Sequence, residues 1–281
     1  MTPPLGQSQE ATEGAVALQA GRDVNLTVGP SVTEVRMLVD SFVQNHLPAL
    51  QQAARDEAQR NVEKFLSEFV GQLRGTNRVS AGEFAKPDAQ SAFNEALRGC
   101  ALKGDDSDMA LVSRVLVERL AAVDKPLLKL VCEAAIRVLP TLTKAQISYL
   151  ALIQYTKSVK HNGLSTTAAL EAIFQRILPL VESGFRLSPA NRQYLASSGL
   201  LTINAVADAN LIPTNLRQNY PFLPATDEQI RLDGGTSILK IMEEFAAVDA
   251  PTAFLTSTGQ LVGMQHLAST LGTVNMEIWI N

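Results

Sequence analysis

Along this chain the spacing of apolar positions changes twice, and each change marks a structural boundary. Residues 1 to about 13 are polar and small, with two prolines. From there the period is two: Val16, Leu18 and Ala20 alternate with smaller or polar neighbours, and the alternation resumes at Val24, Leu26 and Val28. Period two places one set of side chains on one face of a strand. Gly21 and Asp23 between the two runs suit a turn, so the segment reads as two short strands or one kinked strand. Gly29-Pro30 closes it. A lone two-stranded hairpin is marginal in water, so this arm is expected to dock on its own body or to pair with the same arm of another chain.

At Ser31 the period lengthens. Ser31 is a helix N-cap with Glu34 in capping-box spacing. Val35, Val39, Phe42, Val43, His46, Leu47, Leu50, Ala54, Ala58, Val62, Phe65, Phe69 and Leu73 then follow at gaps of three and four, up to Gly75. Such a helix is roughly 60 Å long at ~1.5 Å per residue. Pro48 is expected to kink or split it. Its stripe needs a partner helix, as in a coiled coil. Phe65 and Phe69 are assigned to helix packing.

Residues 75–87 read as a loop, and helices follow in succession at about 88–102, after Asp108, at 127–139, 143–159 and 166–182. Ser188-Pro189 opens a helix over 190–198. Leu200 to Ile203 and Ala253 to Thr256 read as strands, Thr236 to Val248 as a helix, and Ser257 onward as another. Met276 to Ile280 alternates and reads as a terminal strand, with the sole tryptophan, Trp279. The expected fold is mainly α: a multi-helix body with a short N-terminal β arm, one long helix and a small C-terminal α+β part. The expected divisions are 1–30 (tail and β arm), 31–75 (long helix), 76–185 (helical domain) and 186–281 (C-terminal α+β region).

Composition narrows the functional classes. The 281 residues carry 24 basic and 28 acidic side chains, a net charge of -4. That balance offers no global attraction to nucleic acid or anionic lipid, so nucleic acid is not the expected partner. No apolar run reaches the ~18 residues that span a membrane, and the N-terminus lacks the features of a signal peptide. The expected location is the cytoplasm. Cys100 and Cys132 sit inside helical patterns and read as buried thiols of a reducing compartment.

Candidate chemistry is sparse. His46, His161 and His266 have no second His or Cys at metal-ligand spacing. His46 reads as a core or interface histidine and His161 as a helix C-cap. Asp105, Asp106 and Asp108 lack the glycine and distal glutamate of a calcium loop, and read as a helix cap. Asp233-Gly234-Gly235-Thr236 could cradle an anion on its amides, but no Lys follows in P-loop spacing, and a left-handed turn with Thr236 as N-cap accounts for it. Glu243 and Glu244 are adjacent and point apart on a helix. No catalytic, metal or cofactor residue is assigned.

Two resemblances add to this. Gln19-Ala20-Gly21-Arg22-Asp23-Val24-Asn25-Leu26, just before a long helix, resembles the "AG-x-D-V/I-N" arm of a group of bacterial proteins of unassigned activity encoded among phage-defence genes. Tyr194-Leu195 to Gly199-Leu200-Leu201, with Leu255-Thr256-Ser257-Thr258-Gly259, resembles winged-helix domains. The gap between those two stretches is far longer than a wing, and helix 190–198 has only Arg192 as a base, whereas DNA-reading helices carry more. The resemblances imply a homo-oligomerising interaction protein with a possible protein partner in antiphage defence. Val16, Leu18, Val24, Leu26 and Val28 are assigned to arm pairing. The alternatives are a DNA-binding regulator and an enzyme of undetected family.

Overall fold

The structure is a computed structural model. It describes residues 32–204 and 216–272, with side chains at 36–37 and from 51 onward within those ranges. The β arm and the alternating segment 276–280 lie outside the described residues, as do the side chains of Val35, His46 and their neighbours. Internal contacts divide the chain into two units, residues 1–53 and 54–281.

The described part of the first unit is helix. It belongs to α1, which runs Val32–Arg74. The helix is not split at Pro48: a proline removes one backbone hydrogen bond, and the turns on either side retain theirs.

In the second unit α1 continues. Gln51 to Arg60 are exposed except for half-buried Ala58, and burial begins at Asn61. Phe65 and Phe69 are buried one turn apart with ring centroids 6.2 Å from each other. Phe93 lies against both, and Phe84 meets the edge of Phe69. Asn61 donates from Nδ2 to the Ala101 carbonyl at 3.1 Å. Gly104 stands beside it at φ +53, where a Cβ would come within 2.8 Å of Asn61 Nδ2.

Further helices among the described residues are α2 (Pro87–Lys103), α3 (Met109–Ala121), α4 (Pro126–Val138), α5 (Lys144–Ser158), α6 (Thr167–Val181), α7 (Pro189–Ser197), α8 (Asp227–Leu232), α9 (Thr236–Ala247) and α10 (Ser257–Leu271). Their starts explain themselves. Asp108, Thr143, Thr166, Ser188, Thr226 and Thr256 each accept a first-turn amide, which satisfies one of the donors a helix leaves open. Thr143 and Gln146 complete a reciprocal capping box.

Helix α5 is the centre of the core. Every residue from Gln146 to Tyr155 is buried, so it is enclosed on all sides rather than striped. Helix α10 crosses it at close range. A Cβ on Gly263 would sit 2.8 Å from the Leu150 carbonyl, and one on Gly259 only 1.9 Å from that of Leu200. Gly263 therefore lets α10 approach α5, and Gly259 lets its first turn approach Leu200 at the entry to the first strand.

The one described sheet joins β1 (Leu201–Ile203) to β2 (Ala253–Leu255), antiparallel, with Leu201 opposite Leu255 and Ile203 opposite Ala253. Asn204 N–H donates to the Thr252 carbonyl and Thr256 N–H to that of Leu200. By the alternation of an antiparallel ladder, the carbonyls of Pro251, Ala253 and Leu255 face away from β1. Side chains cover all three: Lys157 Nζ donates to Pro251 and Ala253 at 2.8 and 2.7 Å, and Gln260 Nε2 to Leu255 at 3.3 Å. The ammonium also lies 3.9 Å from the centre of the Phe254 ring. The outer edge of β2 is thereby closed to a further strand.

Candidate functional site

Four polar constellations among the described residues of the body offer candidate chemistry. A cleft of about 670 Å³ opens between the last turns of α1, the loop before α3 and the first residue of α5. Lys64, Glu68, Asp105, Ser107, Asp108 and Lys144 line it. Lys64 pairs with Asp105 at 2.9 Å. Asp108 Oδ1 accepts the Leu111 amide at 2.9 Å, which makes it the N-cap of α3. Its other oxygen lies 3.9 Å from His266 Nδ1. The Nε2 of His266 is 3.2 Å from the Leu180 carbonyl and serves there as donor in the neutral tautomer. Burial holds this imidazole below its ordinary pKa, and Asp108 offsets part of the shift. Burial likewise pushes the nearby Cys100 thiol up to about 11. Among the described residues no nucleophile and base meet here at hydrogen-bonding distance, as covalent catalysis requires.

A second constellation surrounds Arg119, whose side chain is fully buried. Its Nε meets Glu133 at 2.7 Å and its Nη2 meets Asp88 at 2.7 Å. Beside it, Arg78 grips Glu118 through both terminal nitrogens at 3.0 and 2.8 Å. One cation thus ties α2, α3 and α4 together. Removing one partner of such a buried set costs far more than forming it gains. The adjoining groove of about 190 Å³ is lined by Asp88, Ser91, Glu95, Glu133 and Arg137.

The third answers the anion cradle read at residues 233–236. Gly234 does take the left-handed turn, at φ +82. Gly235, not Thr236, is the N-cap of α9, and it has no side chain to offer. The cap comes from another helix: Glu171 of α6 accepts the Ser237 amide at 2.9 and 3.1 Å and the Ile238 amide at 3.1 Å. The positive end of α9 does hold an anion, and that anion is the chain's own carboxylate.

The fourth is aromatic. Tyr155 OH lies 3.1 Å from His161 Nε2, and the His161 amide donates to Tyr220 OH at 2.8 Å. His161 is therefore not the C-cap of α5; Val159 is. Instead it fastens the α5–α6 loop to α5 and to the segment before α8. Burial lowers its pKa and raises that of Tyr155.

Of the residues assigned to interaction from sequence, Phe65 and Phe69 are brought together inside the body's own core. Val16, Leu18, Val24, Leu26 and Val28 lie outside the described residues. Arg192, the base of the winged-helix-like stretch, is turned inward: its Nη1 donates to the Val248 carbonyl at 2.6 Å and to Asp249 at 2.8 Å. Among the described residues no group of His, Cys, Asp and Glu is arranged to hold a metal. Both cysteines are buried free thiols. No described helix is long and apolar enough to cross a membrane. Sequence reasoning missed Glu171 and Arg119. Neither stands in a motif, and their partners lie 14 to 67 residues away.

A protein-family model matches residues 29–233, well over half of the chain, and the chain belongs to that family. No curated protein and no solved structure matches it.

Proposed function

We propose that this chain is a non-enzymatic interaction protein that assembles with copies of itself and engages a protein partner, in the setting of bacterial antiphage defence. One observation carries the reading: among the described side chains of α1 the first buried one is Asn61, while Gln51 to Arg60 are open to solvent apart from half-buried Ala58. Upstream of that stretch the sequence carries the apolar stripe Val35 to Leu50. A striped helix gains most of its stability from the surface it packs against. The charged constellations of the body support the same reading, since each is engaged in holding helices together. The defence setting is supported by the resemblance of the arm around Gly21-Arg22-Asp23-Val24.

Deleting residues 1–30 is expected to lower the oligomeric mass, counted as chains per particle, measured by light scattering. A truncated chain that keeps the full-length count ends the reading. The alternative, a DNA-binding regulator, draws on the order α7, β1, β2, α10. It requires salt-dependent affinity for duplex DNA, and the inward pairing of Arg192 weighs against it. Absence of binding at low salt removes it.

A further inference from the structure

We propose that His161 is a proton-operated latch: on taking up a proton its ring lets go of Tyr155, and the loop between α5 and α6 releases the segment 216–224. The geometry sets the two states. Tyr155 OH lies 3.1 Å from His161 Nε2. Tyr155 is buried, and its ring meets the edge of Phe174 of α6. Among the described residues its hydroxyl has no other partner at hydrogen-bonding distance. A buried hydroxyl needs an acceptor for its hydrogen. The Nε2 of a neutral imidazole with its proton on Nδ1 is that acceptor. An imidazolium carries a hydrogen on both nitrogens. If Nε2 then donates to Tyr155 Oη, the phenolic hydrogen must turn to a second acceptor, which the described residues do not provide. The half-buried ring borders the exposed turn Asn162-Gly163, so the imidazolium is hydrated by leaving Tyr155.

The same residue carries the second tie. Its backbone amide donates to Tyr220 OH at 2.8 Å. Tyr220 and Leu223 are buried, and Leu216 and Phe222 pack against the core beside them. A displaced His161 therefore unfastens an apolar segment from the α5–α6 loop. The titratable groups that face His161 are Tyr155 from α5 and Tyr220 from the segment, and α6 packs Phe174 against Tyr155 without a charge. Lys157 of α5 is engaged with the carbonyls of Pro251 and Ala253, and Lys160 is exposed. Burial lowers the proton affinity of the ring, with no carboxylate among its causes to offset it. The fastened state is complete above the ordinary imidazole value of 6.5 and is lost as pH falls through the depressed folded value.

Hydrogen exchange of the full chain tests this, read by mass spectrometry at about pH 7.5 and about pH 5 and corrected for the intrinsic pH dependence of amide exchange. Peptides covering 159–165 and 216–224 are expected to exchange about tenfold faster or more at the lower pH, while peptides from the buried stretch 146–154 of α5 keep their protection. His161→Gln offers Tyr155 an acceptor at every pH, and is expected to keep both regions protected at both values. His266→Gln removes the other imidazole whose pKa burial lowers, and is expected to leave the response intact. Should His161→Gln fail to fold, Tyr155→Phe takes its place. Without the hydroxyl there is no tie for a proton to break, and both regions are expected to exchange equally at the two pH values. The proposal is overturned if the parent chain shows no such loss, or if 146–154 loses protection together with the two regions. It is equally overturned if His161→Gln or Tyr155→Phe responds to pH as the parent does, or if His266→Gln abolishes the response.

Discussion

Helices α1 and α10 solve opposite problems. The 15 residues of α10 lie so close to α5 and to Leu200 that Gly263 and Gly259 take the place of side chains at those two contacts. The 43 residues of α1 use a quartet of aromatic rings at one end and leave Gln51 to Arg60 in water. The difference lies in where each helix finds its stability. For α10 it is backbone proximity and enclosure, which tolerate no added atom. For α1 it is a few large anchors at its C-terminal end, Phe65 and Phe69 foremost.

Three changes would break or sharpen that contrast. The largest effect belongs to α10. Gly259→Val places a Cβ 1.9 Å from the Leu200 carbonyl, a contact that backbone cannot relieve, and the expected outcome is loss of a cooperative thermal transition. A variant that melts like the parent would show that α10 is not so tightly set. Next comes the anchor of α1. Phe65→Ala is expected to destabilise by about 3–5 kcal/mol in urea unfolding, whereas Glu57→Ala, in the exposed stretch upstream, is expected to stay within about 0.5 kcal/mol. Equal effects would mean that the two parts of α1 are held alike.

The smallest effect concerns pH. His266 of α10 has a lowered pKa because of burial. Its folded state binds the proton less readily than its unfolded state, so stability rises with pH across the titration. The contribution is complete above the ordinary imidazole value of 6.5 and is lost as pH falls through the depressed folded value. His266→Gln is expected to flatten the dependence of melting temperature on pH between about 7 and 5. An unchanged slope would assign that dependence to other groups, His161 first among them.

What was legible in the sequence was local. Ser188 as an N-cap, Asp108 at the start of α3 and the short strands near 201 and 254 were all read from residues within a few positions of one another, and the structure places them there. Period and capping chemistry act over one or two turns, so a single sequence displays them. The pairing of β1 with β2 was not legible, because its register links residues about 50 positions apart. Glu171 was read only as part of a helix, and nothing in its neighbours announces that it caps α9. Gly259 was read as part of a helix opening, while its purpose lies in the nearness of Leu200. The polar sites follow the same rule: their residues were visible, and their partners were supplied by the fold.

Glu171 carries one last consequence. A helix terminus that binds its own carboxylate behaves as a lock supplied with its key already turned. Shorten that side chain and the lock remains, with two backbone amides facing the space the carboxylate held. A small carboxylate such as acetate then becomes a reagent for the fold, able to restore from solution what the substitution removed.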